Sequence, residues 1–351
     1  MAGRKVLLLG LAIVSFIVIV VVGFFVVRLL NQPDTVRLSQ RNTDIAFVSD
    51  RDGAWGIYII NPVGEVRHLT PLYTGDETLT CTASTRGQAN CTFDYFPSYS
   101  FDGEMINFLT NRQRSAMGPG QVRPDGTDFA ALDILGAISA VAMDQRFDWD
   151  PQWTPDGWLG WSKIANLNLE AYIATPEGEE YRLTRDGING ARDWFTTWSP
   201  DGQILLFNSD RDGKENVYSL NRADLITSPD NPPLQQLTDN PVDDFHPSWS
   251  LDGEQILFIS DLNDGLLDGL IQFYLMNPDG SDQRPLGDAT FAGDAAYSAD
   301  GSQMVYMSNE NGTWSLYLQD IETGETQQIT DDTSNDLFPV WGPVPEETPG
   351  S

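Results

Sequence analysis

The chain has 351 residues, 40% of them hydrophobic and 11% aromatic, with 31 glycines and 21 prolines, which allows one large core joined by many turns. Its 20 basic against 51 acidic side chains give a formal net charge of -31, a surface that repels phosphate backbones and excludes nucleic acid as a natural partner. The 10 tryptophans, 11 tyrosines and 17 phenylalanines supply burial that disordered acidic chains lack.

Residues 1–5 form a short tail. From Val6 to Val27 the chain then runs 22 residues without a charge. As a helix that run is roughly 33 Å long, enough to cross a bilayer. A cleaved signal peptide would have an apolar core of about 7–15 residues and a small-x-small cleavage site. This run is longer and leads into "VVRLLNQPD", so residues 6–30 read as an uncleaved membrane anchor and residues 31–44 as a linker. Arg4 and Lys5 precede the run while Arg28, Arg37 and Arg41 follow it, so basic residues do not set its orientation. Cys81 and Cys91 do point one way. They frame the polar stretch "TASTRGQAN" and read as a disulfide, hence an oxidising compartment. No nearby His or Cys offers the further ligands a metal site needs. The soluble part is therefore expected outside the cytoplasm, in a periplasm or at a cell surface.

Beyond residue 44 one phrase recurs. It appears as "DYFPSYSFDG" from Asp94, "DWDPQWTPDG" from Asp148, "DWFTTWSPDG" from Asp193 and "DFHPSWSLDG" from Asp244. A degenerate "AGDAAYSADG" starts at Ala292, and a truncated "DLFPVWG" starts at Asp336. The aromatic residues Tyr99, Trp153, Trp198, Trp249, Tyr297 and Trp341 are spaced by 54, 45, 51, 48 and 44. Each unit continues with an apolar run such as "QILLF", then "SDRDG" or a variant. A strand carrying "IY", "VY", "FY" or "LY" follows, and a last strand ends in "HLT", "RLT", "QLT" or "QIT". The Pro-Asp-Gly and Asp-Gly pairs are turn signals, and the apolar runs suit strands packed on both faces. Four short strands in each unit of this period predict an all-β fold, a β-propeller with one blade per unit.

The two ends predict its closure. The chain's first strand phrase, "IAFVSDRDG" from Ile45, is the second half of a unit, and the phrase at Asp336 is a first half. Joined, they complete a blade and leave no open sheet edge. This yields six blades over residues 45–342, with a flexible tail at 343–351.

The pattern "DxxPxWSPDG…I.F.S.RDG…IY" resembles the WD40-like (PD40) repeats of the TolB-type β-propeller family. The resemblance spans nearly the whole soluble part and implies the fold and a tendency to bind protein. TolB-type proteins carry a separate α/β domain ahead of the propeller and work in the periplasm, docking on an outer-membrane lipoprotein. Only Arg28 to Asp44 separate the apolar run from the first strand here, so that domain, and with it the TolB role, is not implied. Similar repeats form the propeller of prolyl-oligopeptidase-type peptidases, which need a G-x-S-x-G elbow that this sequence lacks.

Candidate chemistry is sparse. The chain has 2 histidines, His68 and His246, and each sits in a repeat phrase where a structural use is expected. "SNENGTW" from Ser308 is similar to a sialidase Asp-box but has Glu310 in place of the Asp, and reads as a hairpin. "DRDG" and "DLNDG" lack the alternating ligands and distal Glu of an EF-hand and read as turns. Trp149 and Trp194 follow the repeated Asp and form a possible aromatic ligand surface. Asp94, Asp148, Asp193, Asp244 and Asp336 each lie five residues before the blade's aromatic. They are expected either to cap local turns or to gather as a carboxylate ring at one mouth of the channel, attracting a cation or a partner's basic segment. The reading is a membrane-anchored, extracytoplasmic six-bladed propeller, non-catalytic, monomeric and without cofactor, that binds a protein partner. The alternative is a small-ligand or glycan-binding propeller, or an unrecognised hydrolase.

Overall fold

The recurring phrase folds as a four-stranded antiparallel blade whose second strand is the most buried. A computed structural model describes residues 43–70, 93–100, 102–110, 118–131, 152–154, 156–165, 168–176, 179–183, 190–228, 231–262, 270–298 and 300–342. Among these no helix is long and apolar enough to cross a membrane. The apolar run at residues 6–30 lies outside the described residues, as do Cys81, Cys91, Asp148 and Trp149.

Blade 1 is built from both ends of the chain, in the order β23 (Asp336–Trp341), β1 (Ile45–Ser49), β2 (Gly56–Ile60) and β3 (Val66–His68). Ile45 pairs with Trp341 and Ser49 with Asp336, so the last strand closes the ring against the first. Blade 2 is β4 (Asp94–Tyr99), β5 (Ile106–Thr110), β6 (Gly118–Val122) and β7 (Ala130–Ala131). Blade 3 follows as β8 (Gln152–Trp153), β9 (Leu159–Ala165), β10 (Asn168–Ala174) and β11 (Glu180–Arg182). Blade 4 comprises β12 (Asp193–Trp198), β13 (Ile204–Ser209), β14 (Asn216–Asn221) and β15 (Leu234–Gln236). A one-turn-and-a-half helix, α1 (Arg222–Thr227), is inserted before β15, with the Asn221 side chain accepting from the Ala223 N–H as its N-cap. Blade 5 is β16 (Asp243–Trp249), β17 (Ile256–Asp261), β18 (Leu270–Met276) and the start of β19 (Arg284–Tyr297). The end of that long strand opens blade 6, with β20 (Gln303–Ser308), β21 (Ser315–Asp320) and β22 (Thr326–Gln328). The fold is thus an all-β propeller of six blades.

The core lies between blades. Every residue of β1 and β5 is buried, and Phe47, Phe108, Phe207 and Phe258 from four second strands are fully so. Strands covered on both faces explain why these runs are uninterruptedly apolar rather than alternating. Neighbouring blades are also tied through the backbone. The Asp94 N–H donates to the Trp55 carbonyl at 3.2 Å, Asp244 to Glu215 at 2.8 Å and Asp336 to Trp314 at 2.8 Å. The acceptor stands in each case three residues before the tyrosine of the third strand.

Turn chemistry follows the sequence. In "SDRDG" the Gly53 N–H donates to the Asp50 carbonyl at 2.9 Å, and Gly213 repeats this with Asp210 at 2.9 Å. Both glycines have positive φ, 83° and 91°, which a side chain would strain. At the other end of the blade, the Ser199 hydroxyl of "WSPDG" bonds the Asp201 carboxylate at 2.6 Å. Ser100, Ser250 and Ser298 make the same bond to Asp102, Asp252 and Asp300.

Candidate functional site

The site is positioned by a kink in each first strand. Pairing with the second strand slips between Tyr95 and Ser98, Trp194 and Thr197, Phe245 and Ser248, Ala292 and Ala295, and Leu337 and Val340. In each case two residues oppose one, which is a β-bulge, and proline is tolerated there because the ladder is broken. The first bulge residue is Phe96, Phe195, His246 or Phe338, with φ between 51° and 55°. A bulky side chain in that left-handed region carries strain of about 1–3 kcal/mol, so the surrounding blade must impose it. The bulge re-aims these side chains into the central channel.

They line a cavity of about 450 Å³ whose walls include the prolines Pro97, Pro247 and Pro339. The Phe96 and Phe338 rings meet with centroids 4.5 Å apart, and Phe195 meets His246 at 3.5 Å. In blade 6 the bulge instead presents Asp294, whose carboxylate meets His246 Nδ1. Burial presses the His246 imidazole down to about 3. The ring donates its Nδ1–H to the Asp294 carboxylate, a contact that works against the effect of burial.

The carboxylates expected at the channel mouth are elsewhere. Asp94, Asp193, Asp244 and Asp336 are all fully buried, and they face the second strand of their own blade. Each sits opposite a hydroxyl residue, namely Thr110, Ser209, Ser260 and Ser49. The open ring of carboxylates is thus corrected for these four: a blade-internal network absorbs the charge. Arg51 Nη2 bonds both Asp336 oxygens at 2.9 and 3.0 Å, and its Nε reaches Ser49 at 3.0 Å. Arg211 repeats the motif, with Asp193 at 2.9 Å and Ser209 at 2.8 Å. The same guanidiniums lie over Tyr58 at 5.1 Å and Tyr218 at 4.8 Å, and those hydroxyls donate to Asp52 and Asp212. Blade 5 has Leu262 where the arginine would stand, and there Ser260 and Asn240 donate to Asp244 instead. Burial raises the Asp244 and Asp336 carboxyls, against the hydrogen bonds that hold them and, at Asp336, the Arg51 charge.

Trp194 is half-buried beside the channel floor. Its indole N–H donates to Glu215 at 3.2 Å, its ring lies 5.2 Å from Phe195, and the exposed Arg192 guanidinium stacks over it at 5.2 Å. Burial pushes Glu215 up to about 7, against Arg192 and with help from Asp243 and Asp210. Glu215 occupies the place held by Trp55 and Trp314 in blades 1 and 6. The repeat phrase places Trp194 but does not signal its partners, because Arg192, Glu215 and Asp243 come from separate segments.

A third constellation has the connectivity of a catalytic triad. Asp52 Oδ2 lies 3.1 Å from His68 Nδ1, and His68 Nε2 lies 3.4 Å from the Thr70 hydroxyl. Thr70, however, is 2% exposed, and its oxygen accepts the Ile57 N–H at 3.1 Å. Thr238 and Thr330 do the same for Val217 and Leu316 in blades with no histidine nearby. The hydroxyl therefore caps the third strand, and His68 stacks on Tyr58 at 4.2 Å. No cluster of three or more potential metal ligands occurs among the described residues.

With this geometry in view, the protein can be compared with others. No family model matches the chain. It is 28% identical over 210 residues to an uncharacterized protein of Agrobacterium fabrum, covering 53% of this chain and 68% of that protein. It is also 31% identical over 141 residues to an uncharacterized peptidase of Bacillus subtilis, covering 38% of this chain and only 19% of the peptidase. In structure it is similar to TolB from Acinetobacter baumannii, with a TM-score of 0.64 at 16% identity over 86% of this chain and 67% of that one. Similarity at that identity establishes a shared propeller fold, and activity must be argued from the site.

Proposed function

We propose that this protein is a membrane-anchored, extracytoplasmic propeller that binds a protein partner at its central channel and performs no chemistry itself. The observation that carries the reading is the channel. Its floor repeats a strained aromatic residue in blades 1, 2 and 4, and its walls are proline- and tryptophan-rich. Strain maintained at a ligand-facing position is a mark of function, and a mostly apolar concavity with few polar groups is what a ligand segment needs. The apolar run at Val6–Val27 and the Cys81/Cys91 pair support anchoring and an oxidising compartment.

The test is site-specific photo-cross-linking in the native membrane. A cross-linker at Ser248, on the channel wall, should capture one protein reproducibly, whereas one at Val63, 71% exposed on a blade turn, should not. Turnover of peptide, ester or polysaccharide substrates by the purified protein would overturn the non-catalytic reading. The second reading, a small-ligand or glycan site, is favoured by Trp194 beside Arg192 and Glu215. It predicts sugar-dependent thermal stabilisation that Trp194→Ala abolishes.

A further inference from the structure

Among the described residues, the channel presents one carboxylate with no lysine or arginine beside it. Among the described residues lining the cavity, Asp294 is the one carboxylate, and no lysine or arginine is among them. Its side chain is 20% exposed, and its contact in the channel is His246 Nδ1. His246 approaches that carboxylate through Nδ1 and gives it one hydrogen bond. A carboxylate largely withdrawn from water is stable chiefly when its acceptor sites are filled, and a single imidazole N–H leaves most of them for an incoming donor.

The surroundings select the kind of cation. The equivalent bulge positions of blades 1, 2 and 4 hold Phe338, Phe96 and Phe195, whose ring faces attract organic cations. A metal ion would need several oxygen or nitrogen ligands, and among the described residues no such group of ligands exists. The cavity, about 450 Å³, admits a side chain with its adjoining backbone rather than a folded domain. The formal charge of -31 on the chain steers a cationic segment toward the propeller from a distance.

We propose that the channel receives the ammonium or guanidinium of a lysine or arginine in an extended segment of a partner protein, with Asp294 as its counter-ion and the floor phenylalanines against its stem. This rests on the channel being the partner-binding surface and adds the chemistry of what enters it. In blade 6 the repeat's structural aspartate is absent, replaced by Ala292, while an aspartate appears two residues later facing the channel.

The experiment uses the full-length protein in nanodiscs and two capped peptides, acetyl-Gly-Ser-Lys-Ser-Gly-amide and its norleucine isostere, titrated calorimetrically at low salt. The lysine peptide should bind at least ten-fold more tightly. Asp294→Asn should bring the two peptides to equal affinity, and Asp294→Glu should retain the preference. Equal affinities in the wild type, a preference that survives Asp294→Asn, or no binding of either peptide would each overturn the cation proposal. Capture of a partner at Ser248 is a separate readout. Equal peptide affinities with a cross-linked partner would remove the cation and keep the interaction module, whereas no cross-linked partner would remove the interaction reading itself.

Discussion

Two rings of residues lie two positions apart on the same first strands, and they behave in opposite ways. Asp94, Asp193, Asp244 and Asp336 are fully buried and wired into their own blades, whereas Phe96, Phe195, His246 and Phe338 are turned by the bulge into the channel. The first ring recurs in blades 1, 2, 4 and 5. Its aspartate, the opposing serine and the arginine of "SDRDG" form one closed unit, seen at Asp336–Arg51 and again at Asp193–Arg211. Where blade 6 loses the aspartate to Ala292, the arginine position holds Glu310 and the Asp of "RDG" becomes Asn311, which bonds Tyr317 at 3.0 Å. A network dispensed with as a whole is architecture. The second ring varies from blade to blade, and the variation is confined to side chains that reach the cavity.

Breaking the frame around both rings should have the largest effect. Deleting residues 336–351 removes β23, which completes blade 1 and donates to the carbonyl of blade 6. Loss of the cooperative melt, or a fall in Tm of more than about 10 °C, is expected, since roughly 1 kcal/mol moves a large domain by about 2–4 °C. An unchanged Tm would break the closed-ring description.

Within the buried ring, Asp193→Ala should destabilise by about 3–5 kcal/mol, because it strands the Arg211 guanidinium inside the blade. Urea unfolding measures this. The double variant Asp193→Ala/Arg211→Met should recover part of the loss. An effect no larger than that of a surface substitution would mean that the network is dispensable.

The pH dependence of stability sharpens the comparison, because the groups beside the two rings titrate with opposite sign. Glu215 is raised from 4.5 to about 7, so the folded state holds its proton longer than the unfolded state and stability falls as pH rises through that window. His246 is lowered from 6.5 to about 3, so the unfolded state binds the proton first and stability falls as pH drops from 6.5 toward 3. Glu215→Gln should flatten the first slope and His246→Gln the second, as read from denaturant midpoints across pH 3–8. A slope left intact in either variant would refute that assignment.

The smallest stability effect belongs to the channel ring. Phe338→Leu keeps an apolar side chain at the floor and should change stability by less than about 1.5 kcal/mol. Capture of a partner at Ser248 should nevertheless weaken. A variant that loses stability heavily and keeps full capture would reverse the roles assigned to the two rings.

How much of this was legible beforehand depends on whether the relevant contacts recur. The blades, their turns and the closure at Ile45 and Trp341 could be read directly, because hairpin turns and buried second strands are local patterns repeated at a steady period. The carboxylates were expected either to cap local turns or to ring the channel mouth, and Asp94, Asp193, Asp244 and Asp336 are buried within their own blades rather than open to the channel. Strict alternation along a strand holds only until a bulge, and the proline three residues after Asp94, Asp148, Asp244 and Asp336 was the available sign of one. Glu215 beneath Trp194, and Asp294 against His246, could not be anticipated. Each pair joins residues of different blades or loops, and neither partner departs from the ordinary composition of its own segment.

The sequence by itself determined the repeat, the number of blades and the joining of the two ends. Those follow from turn residues and apolar runs, which act over a few neighbours and need no knowledge of the rest of the chain. Only the tertiary structure decided which repeated residues are walls and which face the channel. That choice is made by a one-residue slip in strand pairing, and by charges brought together from separate blades, where burial rather than sequence sets which group keeps its proton.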